Sequence, residues 1–255
     1  MSADIVLQTR GLSMAFGGLK VFSGLEFSLT RGERHAVIGP NGAGKSTFVG
    51  ILTGLFSPTA GEVLLDGQDV TRATPRQRVA AGLVRTFQIN TLFASLTPLE
   101  SAVLAICQRD GVAKPSLRAV KHLTAQIDEA QDLLEKFGLG DDATTPTQEL
   151  PYGKQRVLEI ARALALNPQL LLLDEPAAGL TAPDIKELVA IVRKIREHGI
   201  TVILIEHHMD VVMSICDTVT VLDFGQKIAE GNAAAVQSDP KVIEAYLGSA
   251  DVAHA

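Results

Sequence analysis

The chain has 255 residues, 46% of them apolar and 20% charged, enough for a substantial buried core in one large α/β domain. That composition excludes wholesale disorder and fibrous repeats. Lys and Arg number 23 against 29 Asp and Glu, and the net charge of −6 argues against a general electrostatic grip on nucleic acid or anionic lipid. The two cysteines, Cys107 and Cys216, lie far apart without metal-ligand spacing. They fit a reducing compartment and read as small buried apolar residues.

Met1-Ser2-Ala3-Asp4 lacks a basic region followed by an apolar run, so no secretory signal is expected. The longest apolar runs, 170–173 and 200–205, fall far short of the roughly 20 residues a membrane-spanning helix needs. In chain order, short β segments are expected at 5–9, 12–16, 25–29, 35–38 and 62–66, punctuated by Gly17-Gly18, Arg31-Gly32-Glu33 and Asp66-Gly67-Gln68. A glycine-rich loop follows from Gly39, then a helix over 45–53. Residues 92–139 read as mostly helical: Leu117, Val120, Leu123, Ile127, Ala130, Leu134 and Phe137 recur every three or four positions and mark an amphipathic helix ended near Gly138.

A polar loop over 140–146 leads to a helix over 152–165, stopped at Asn167-Pro168. Residues 169–174 form a continuous apolar run closed by an acid, the pattern of a buried parallel strand. Residues 184–198 read as a helix with Pro183 in its first turn, and 200–205 as another buried strand. Segments 218–222 and 227–229 read as a hairpin around Asp223-Phe224-Gly225-Gln226, and 242–247 as a last helix ended at Gly248, before a frayed tail. Alternating buried strands and helices imply a parallel sheet covered on both faces.

Gly39-Pro40-Asn41-Gly42-Ala43-Gly44-Lys45-Ser46-Thr47 satisfies G-x-x-x-x-G-K-[ST] between an expected strand and an expected helix, the context a phosphate loop requires. Its glycines let backbone N–H groups wrap phosphate oxygens, and the helix N-terminus adds its positive end. Lys45 supplies a point charge to the β- and γ-phosphates, Ser46 a hydroxyl for Mg²⁺, and Thr47 a hydroxyl near the α-phosphate. Downstream, Asp174 and Glu175 close an apolar strand, where burying acids without a metal or donor is costly. Asp174 is read as the acid on the Mg²⁺ side and Glu175 as the base that polarises the attacking water.

Around these motifs the whole chain resembles the ATP-binding subunits of ABC transporters, and the resemblance implies a P-loop ABC ATPase fold: a mixed α/β core, an N-terminal antiparallel β subdomain and a helical subdomain. It implies one domain over 1–255, with 1–90 and 157–255 as the nucleotide-binding core and 91–156 as the helical part carrying the signature. Gln88, in Thr86-Phe87-Gln88, sits where the family has its Q-loop glutamine, a contact to Mg²⁺ and water. Tyr152, Gly153 and Lys154, in Leu150-Pro151-Tyr152-Gly153-Lys154-Gln155-Arg156, sit in the family's signature, which meets the ATP of a partner subunit. Gly179-Leu180-Thr181 occupies the D-loop, His207 the switch histidine, and Phe16 the place of an aromatic that stacks on adenine. His35, His198 and His208 are left as structural or solvent-facing.

Two positions depart from the family pattern: Pro151 stands where the signature commonly has Ser, and Thr181 where the D-loop commonly has Asp. Both fit a subunit paired with a non-identical ATPase, a second copy of itself being the alternative. Phe16-Gly17-Gly18-Leu19, the 84–88 segment, the 152–162 helix, the 174–180 segment and Ala245-Tyr246-Leu247-Gly248 resemble the ATPase of branched-chain amino acid importers. That resemblance implies two membrane permease subunits, a periplasmic binding protein acting indirectly, and a place on the cytoplasmic face of the inner membrane. The groove beside 88–97 is expected to receive a permease helix. The competing readings are a lipid or lipopolysaccharide exporter ATPase, a soluble ABC ATPase acting on nucleic acid, and a nucleotide-binding regulator without hydrolysis.

Overall fold

The computed structural model describes residues 4–86, 95–112, 123–197 and 199–251. The expected first two strands are one, β1 (Ile5–Phe16), kept continuous through register shifts around Gly11. It pairs antiparallel with β2 (Leu19–Thr30) and with β4 (Ala60–Leu65), and β5 (Gln68–Asp69) closes this four-stranded sheet in the order β2-β1-β4-β5.

The second sheet holds six strands. β3 (Arg34–Ile38) lies parallel to both β8 (Thr201–Ile205) and β9 (Thr218–Asp223). β7 (Leu170–Asp174) lies parallel to β8 and to the three-residue β6 (Leu83–Arg85), while β10 (Gln226–Gly231) turns back antiparallel on β9, giving the order β10-β9-β3-β8-β7-β6. Neighbouring residues on these strands alternate between two cores. Ala36, Leu171, Leu173 and Leu204 join one that is covered by α5 (Tyr152–Ala165), α6 (Ala182–Glu197) and α7 (Met209–Ile215). Val37, Leu170, Leu172 and Ile203 join the other, filled by the first sheet and by Phe48, Val49, Ile51 and Leu52 of α1 (Lys45–Leu52).

Among the short elements not expected from the sequence are β5, β6, α2 (Pro75–Ala80), opened by a Thr74–Gln77 capping box with proline in its first turn, and α7. α3 (Pro98–Arg109) starts at a second capping box, Thr97 with Glu100, and packs with α4 (Thr124–Lys136) and α5 around Ala102, Ile106, Ala130 and Ala165. The N-terminal part of the amphipathic helix expected from Leu117 onward, up to residue 122, lies outside the described residues, as do residues 88–94 of the segment expected to flank a permease groove, Gln88 among them, and His198. α8 (Ala233–Gln237) precedes α9 (Pro240–Asp251), which continues through Gly248 instead of stopping there. Glycine inside a helix costs only about 1 kcal/mol, too little to end one by itself.

Cys107 is buried and Cys216 half-buried, both with free thiols. Burial raises both, Cys216 to about 12. His35 is structural: its ring bridges Glu33 (3.0 Å) and the Thr220 hydroxyl (2.8 Å) inside the sheet.

Candidate active site

Because β3, β8 and β7 are adjacent and parallel, their carboxyl ends converge, and each delivers one part of the site. β3 runs into the loop 39–44. There Gly39, Gly42 and Gly44 have φ of 153°, 82° and 99°, and a Cβ on Gly39 would collide with the Leu222 carbonyl oxygen. The Gly225 N–H donates to the Ala43 carbonyl (3.1 Å), so the β9–β10 turn supports the loop from behind. α1 opens at left-handed Gly44 with no side chain capping it, which leaves its first N–H groups facing the loop. Lys45 Nζ donates to the carbonyls of Gly39 (2.6 Å) and Pro40 (3.0 Å). Burial pulls this ammonium below its ordinary value, and the charge of Glu175 offsets part of that fall. Asn41 and Ser46 are exposed, Pro40 is buried, and Thr47 is half-buried.

β7 ends at Asp174, whose Oδ2 accepts from Arg85 at 2.5 Å. Arg85 stands on the neighbouring β6, opposite Leu172. This pairing went unforeseen in the sequence, since the two residues are 89 positions apart. Glu175 follows with φ 46°, a left-handed conformation that costs a non-glycine residue on the order of 1 kcal/mol, and its N–H is held by the Ile205 carbonyl (2.9 Å). β8 contributes His207, half-exposed, with Nδ1 4.0 Å from Glu175 Oε1. The arrangement thus brings Lys45, Glu175 and His207 together.

Phe16 lies at the end of β1, 45% exposed, with its ring edge-on to Phe56 at 5.6 Å. The signature residues form a separate group, and no hydrogen bond among the described residues joins them to the loop 39–47. Pro151 is the N-cap of α5 and offers no side-chain cap, leaving the helix's first N–H groups open. The Tyr152 hydroxyl donates to the Ala178 carbonyl (3.2 Å) and accepts from Arg156 (2.6 Å). A Cβ on Gly153 would collide with the Asp184 carboxylate, and Lys154 is paired with Asp142 (2.6 Å). Thr181 and Asp184 exchange hydrogen bonds at the start of α6, so Thr181 works as a helix cap.

The family model described as "ABC transporter" matches residues 22–178, more than half the chain. The chain belongs to the ABC transporter family. A second model, "Branched-chain amino acid ATP-binding cassette transporter", matches residues 226–252 of this ABC protein, from β10 through α9. It is 40% identical to the high-affinity branched-chain amino acid transport ATP-binding protein LivG of Escherichia coli K12, over 96% of this chain and 98% of the other. It is 39% identical to BraF of Pseudomonas aeruginosa over the same shares. Among solved structures, the ADP conformation of an ATP-binding cassette of an ABC transporter superposes with a TM-score of 0.85 at 32% identity, covering 96% of this chain and 99% of the other. A nucleotide-free cassette gives 0.84 at the same identity, with coverage of 95% and 98%. This ABC protein is a transporter's ATPase subunit, and its fold is the P-loop ABC ATPase fold expected from the motifs. No helix among the described residues is long and apolar enough to cross a membrane.

Proposed function

We propose that this ATPase drives an importer of branched-chain amino acids or related small amino acids and amides. The observation that carries the substrate class is the match of residues 226–252 to the branched-chain model, on a chain similar to LivG along nearly its whole length. A single ABC ATPase domain over 1–255 is proposed, with 1–90 and 157–255 as its nucleotide-binding core and 91–156 as its helical part.

The residues present fit Mg²⁺ and ATP. Gly39, Gly42 and Gly44 hold positive φ values that side chains rarely adopt, Lys45 spends its ammonium on two loop carbonyls where phosphate oxygens are better partners, and exposed Ser46 lies beside it. Ser46, Asp174 and Gln88 would hold the metal, which when bound neutralises charge building up on the phosphates. Residues 39–47 grip the triphosphate, Phe16 stacks on the base, and Glu175 orients and deprotonates water. His207, beside Glu175, holds the γ-phosphate end. Tyr152, Gly153 and Lys154 offer the amino end of α5 to ATP on a second ATPase subunit paired head to tail. Pro151 and the helix-capping Thr181 support a non-identical partner in that pair.

Power reaches two permease subunits through a cleft of about 250 Å³ between β6, α3 and α5, lined by Val84, Arg85, Thr86, Ser101, Leu104 and Arg162. Half-exposed Leu104 and the buried Ser101 hydroxyl, without a partner among the described residues, suit an inserted helix end. Such a subunit works at the cytoplasmic face of the inner membrane, with a periplasmic binding protein supplying substrate and nucleic acid playing no part. The test is a mild-detergent pull-down from native cells, with the ATPase activity of the eluate compared against Glu175→Gln. Recovery of permeases and a second ATPase supports the reading, and the co-encoded binding protein is then screened with leucine, isoleucine and valine. A pull-down free of membrane proteins, or an eluate whose activity ignores Glu175→Gln, overturns it.

A further inference from the structure

We propose that Glu206 is a positioning residue for hydrolysis, holding the switch histidine at its working distance from Glu175 through a buried carboxylate shared with His208. The proposal rests on the reading that His207 takes part in ATP hydrolysis.

Glu206 directly follows β8 and is completely buried, 0% exposed, although both neighbours on its C-terminal side are about half-exposed. Its two oxygens are divided between those neighbours. Oε2 accepts the His207 backbone N–H at 3.1 Å and lies 3.7 Å from His207 Nδ1. Oε1 lies 3.1 Å from His208 Nδ1. The two imidazoles stand 4.1 Å apart between centroids and are tilted by 38°. His208 is itself fixed, because its carbonyl receives the N–H groups of Val211 (3.0 Å) and Val212 (3.2 Å) at the start of α7.

A carboxylate with no exposure is costly unless its oxygens are fully engaged. Here the groups that engage it belong to the same tripeptide, Glu206-His207-His208, so the stabilisation of the buried carboxylate and the geometry of His207 are the same set of bonds. Movement of the His207 amide away from Oε2 leaves a buried acceptor short of a donor, and rotation of His208 does the same to Oε1. The charged groups around the pair are Glu175, 4.0 Å from His207 Nδ1 on the β7 side, Asp210 in the first turn of α7, and Lys45, whose charge is felt by Glu175. His207 therefore stands between an exposed acid on the reaction side and a buried acid on the core side. The buried one fixes its place in the way the third member of a triad orients a base.

The test uses the purified full-length chain and the variants Glu206→Gln, His208→Asn, their double combination, and His207→Ala. Glu206→Gln keeps the shape of the buried side chain but can accept through only one oxygen. His208→Asn changes a half-exposed ring and keeps the measurement available should the buried change unfold the chain. Readouts are kcat, KM for ATP, the affinity for a fluorescent ADP analogue, and the thermal midpoint. Each single variant is expected to lose about tenfold or more in kcat, with KM and ADP affinity held within about twofold. The double variant is expected to be no slower than the slower single, because both remove one shared network. A purely structural role would lower the thermal midpoint without this split. Wild-type kcat in His208→Asn, or multiplied losses in the double variant, overturns the proposal when His207→Ala is inactive. Wild-type kcat in His207→Ala overturns instead the reading of His207 on which it rests.

Discussion

Replacing Arg78 by methionine strips the far end of the phosphate-loop helix of its cap. Arg78 is 1% exposed, and its guanidinium donates to the carbonyls of Ile51 (2.6 Å) and Leu52 (2.7 Å), the last residues of α1, and to those of Thr71 (3.0 Å) and Ala73 (3.2 Å). Burial lowers this arginine to about 10, with the charge of Asp69 offsetting part of the fall. The Ile51 carbonyl also receives the Gly54 N–H at 3.1 Å, so two or three carbonyls lose their donor in the variant. At about 1–3 kcal/mol for each orphaned buried acceptor, offset by a guanidinium that no longer has to be desolvated, the net loss is about 2–4 kcal/mol. That is a large share of the roughly 5–15 kcal/mol that holds a domain together. Urea unfolding followed by circular dichroism measures it as a lower midpoint at unchanged slope. Arg78→Lys, whose single ammonium reaches fewer carbonyls, is expected to fall between the two. A loss below about 1 kcal/mol in Arg78→Met, or a gain, refutes the view that these carbonyls depend on the arginine.

Glu175→Gln is expected to lower kcat by at least about a hundredfold while leaving ATP binding intact, checked by phosphate release beside equilibrium nucleotide binding. Gly39→Ala drives a methyl into the Leu222 carbonyl and is expected to abolish nucleotide binding measured by calorimetry, with Gly18→Ala, which meets nothing, as the matched control. Glu33 is raised by burial but lowered further by bonds from His35, Thr218 and the Thr30 N–H, to about 2 from 4.5. Its contribution, on the order of 2 kcal/mol, is whole above pH 4.5 and fades toward pH 2 as the unfolded chain takes up the proton first. Thermal midpoints between pH 5 and 3 should therefore fall more steeply in the wild type than in Glu33→Gln. Cys107 and Cys216, both raised by burial, are expected to resist Ellman's reagent at pH 8 until denaturant is added.

The sequence announced what is written locally. The phosphate loop, the acids after the leucine run and the helix over Tyr152–Ala165 were all legible, because short-range patterns of glycine, apolar runs and helical period specify them. Long-range partners were not. Nothing near Arg78 tells that it reaches back 26 and 27 residues to cap α1, and nothing near Arg85 points to Asp174. β6 has three residues, too few for any periodicity, and gains its identity from β7 beside it. α2 has a readable local signal in Thr74-Pro75-Arg76-Gln77, a capping box with proline. Glu206 could not be singled out because a glutamate before a histidine reads as surface until the sheet buries it.

The Tyr152 side chain spans more than a local gap. Its hydroxyl is bound to the Ala178 carbonyl and its ring lies against Gly179, while Arg156 grips the same hydroxyl from one turn further along α5. In the head-to-tail pair proposed above, the amino end of α5 would face one nucleotide and the loop behind Glu175 would serve the other. A single aromatic strut then ties the two catalytic pockets together within each chain. In the proposed pair, hydrolysis on one side is therefore expected to shift the footing of the opposite side through this side chain.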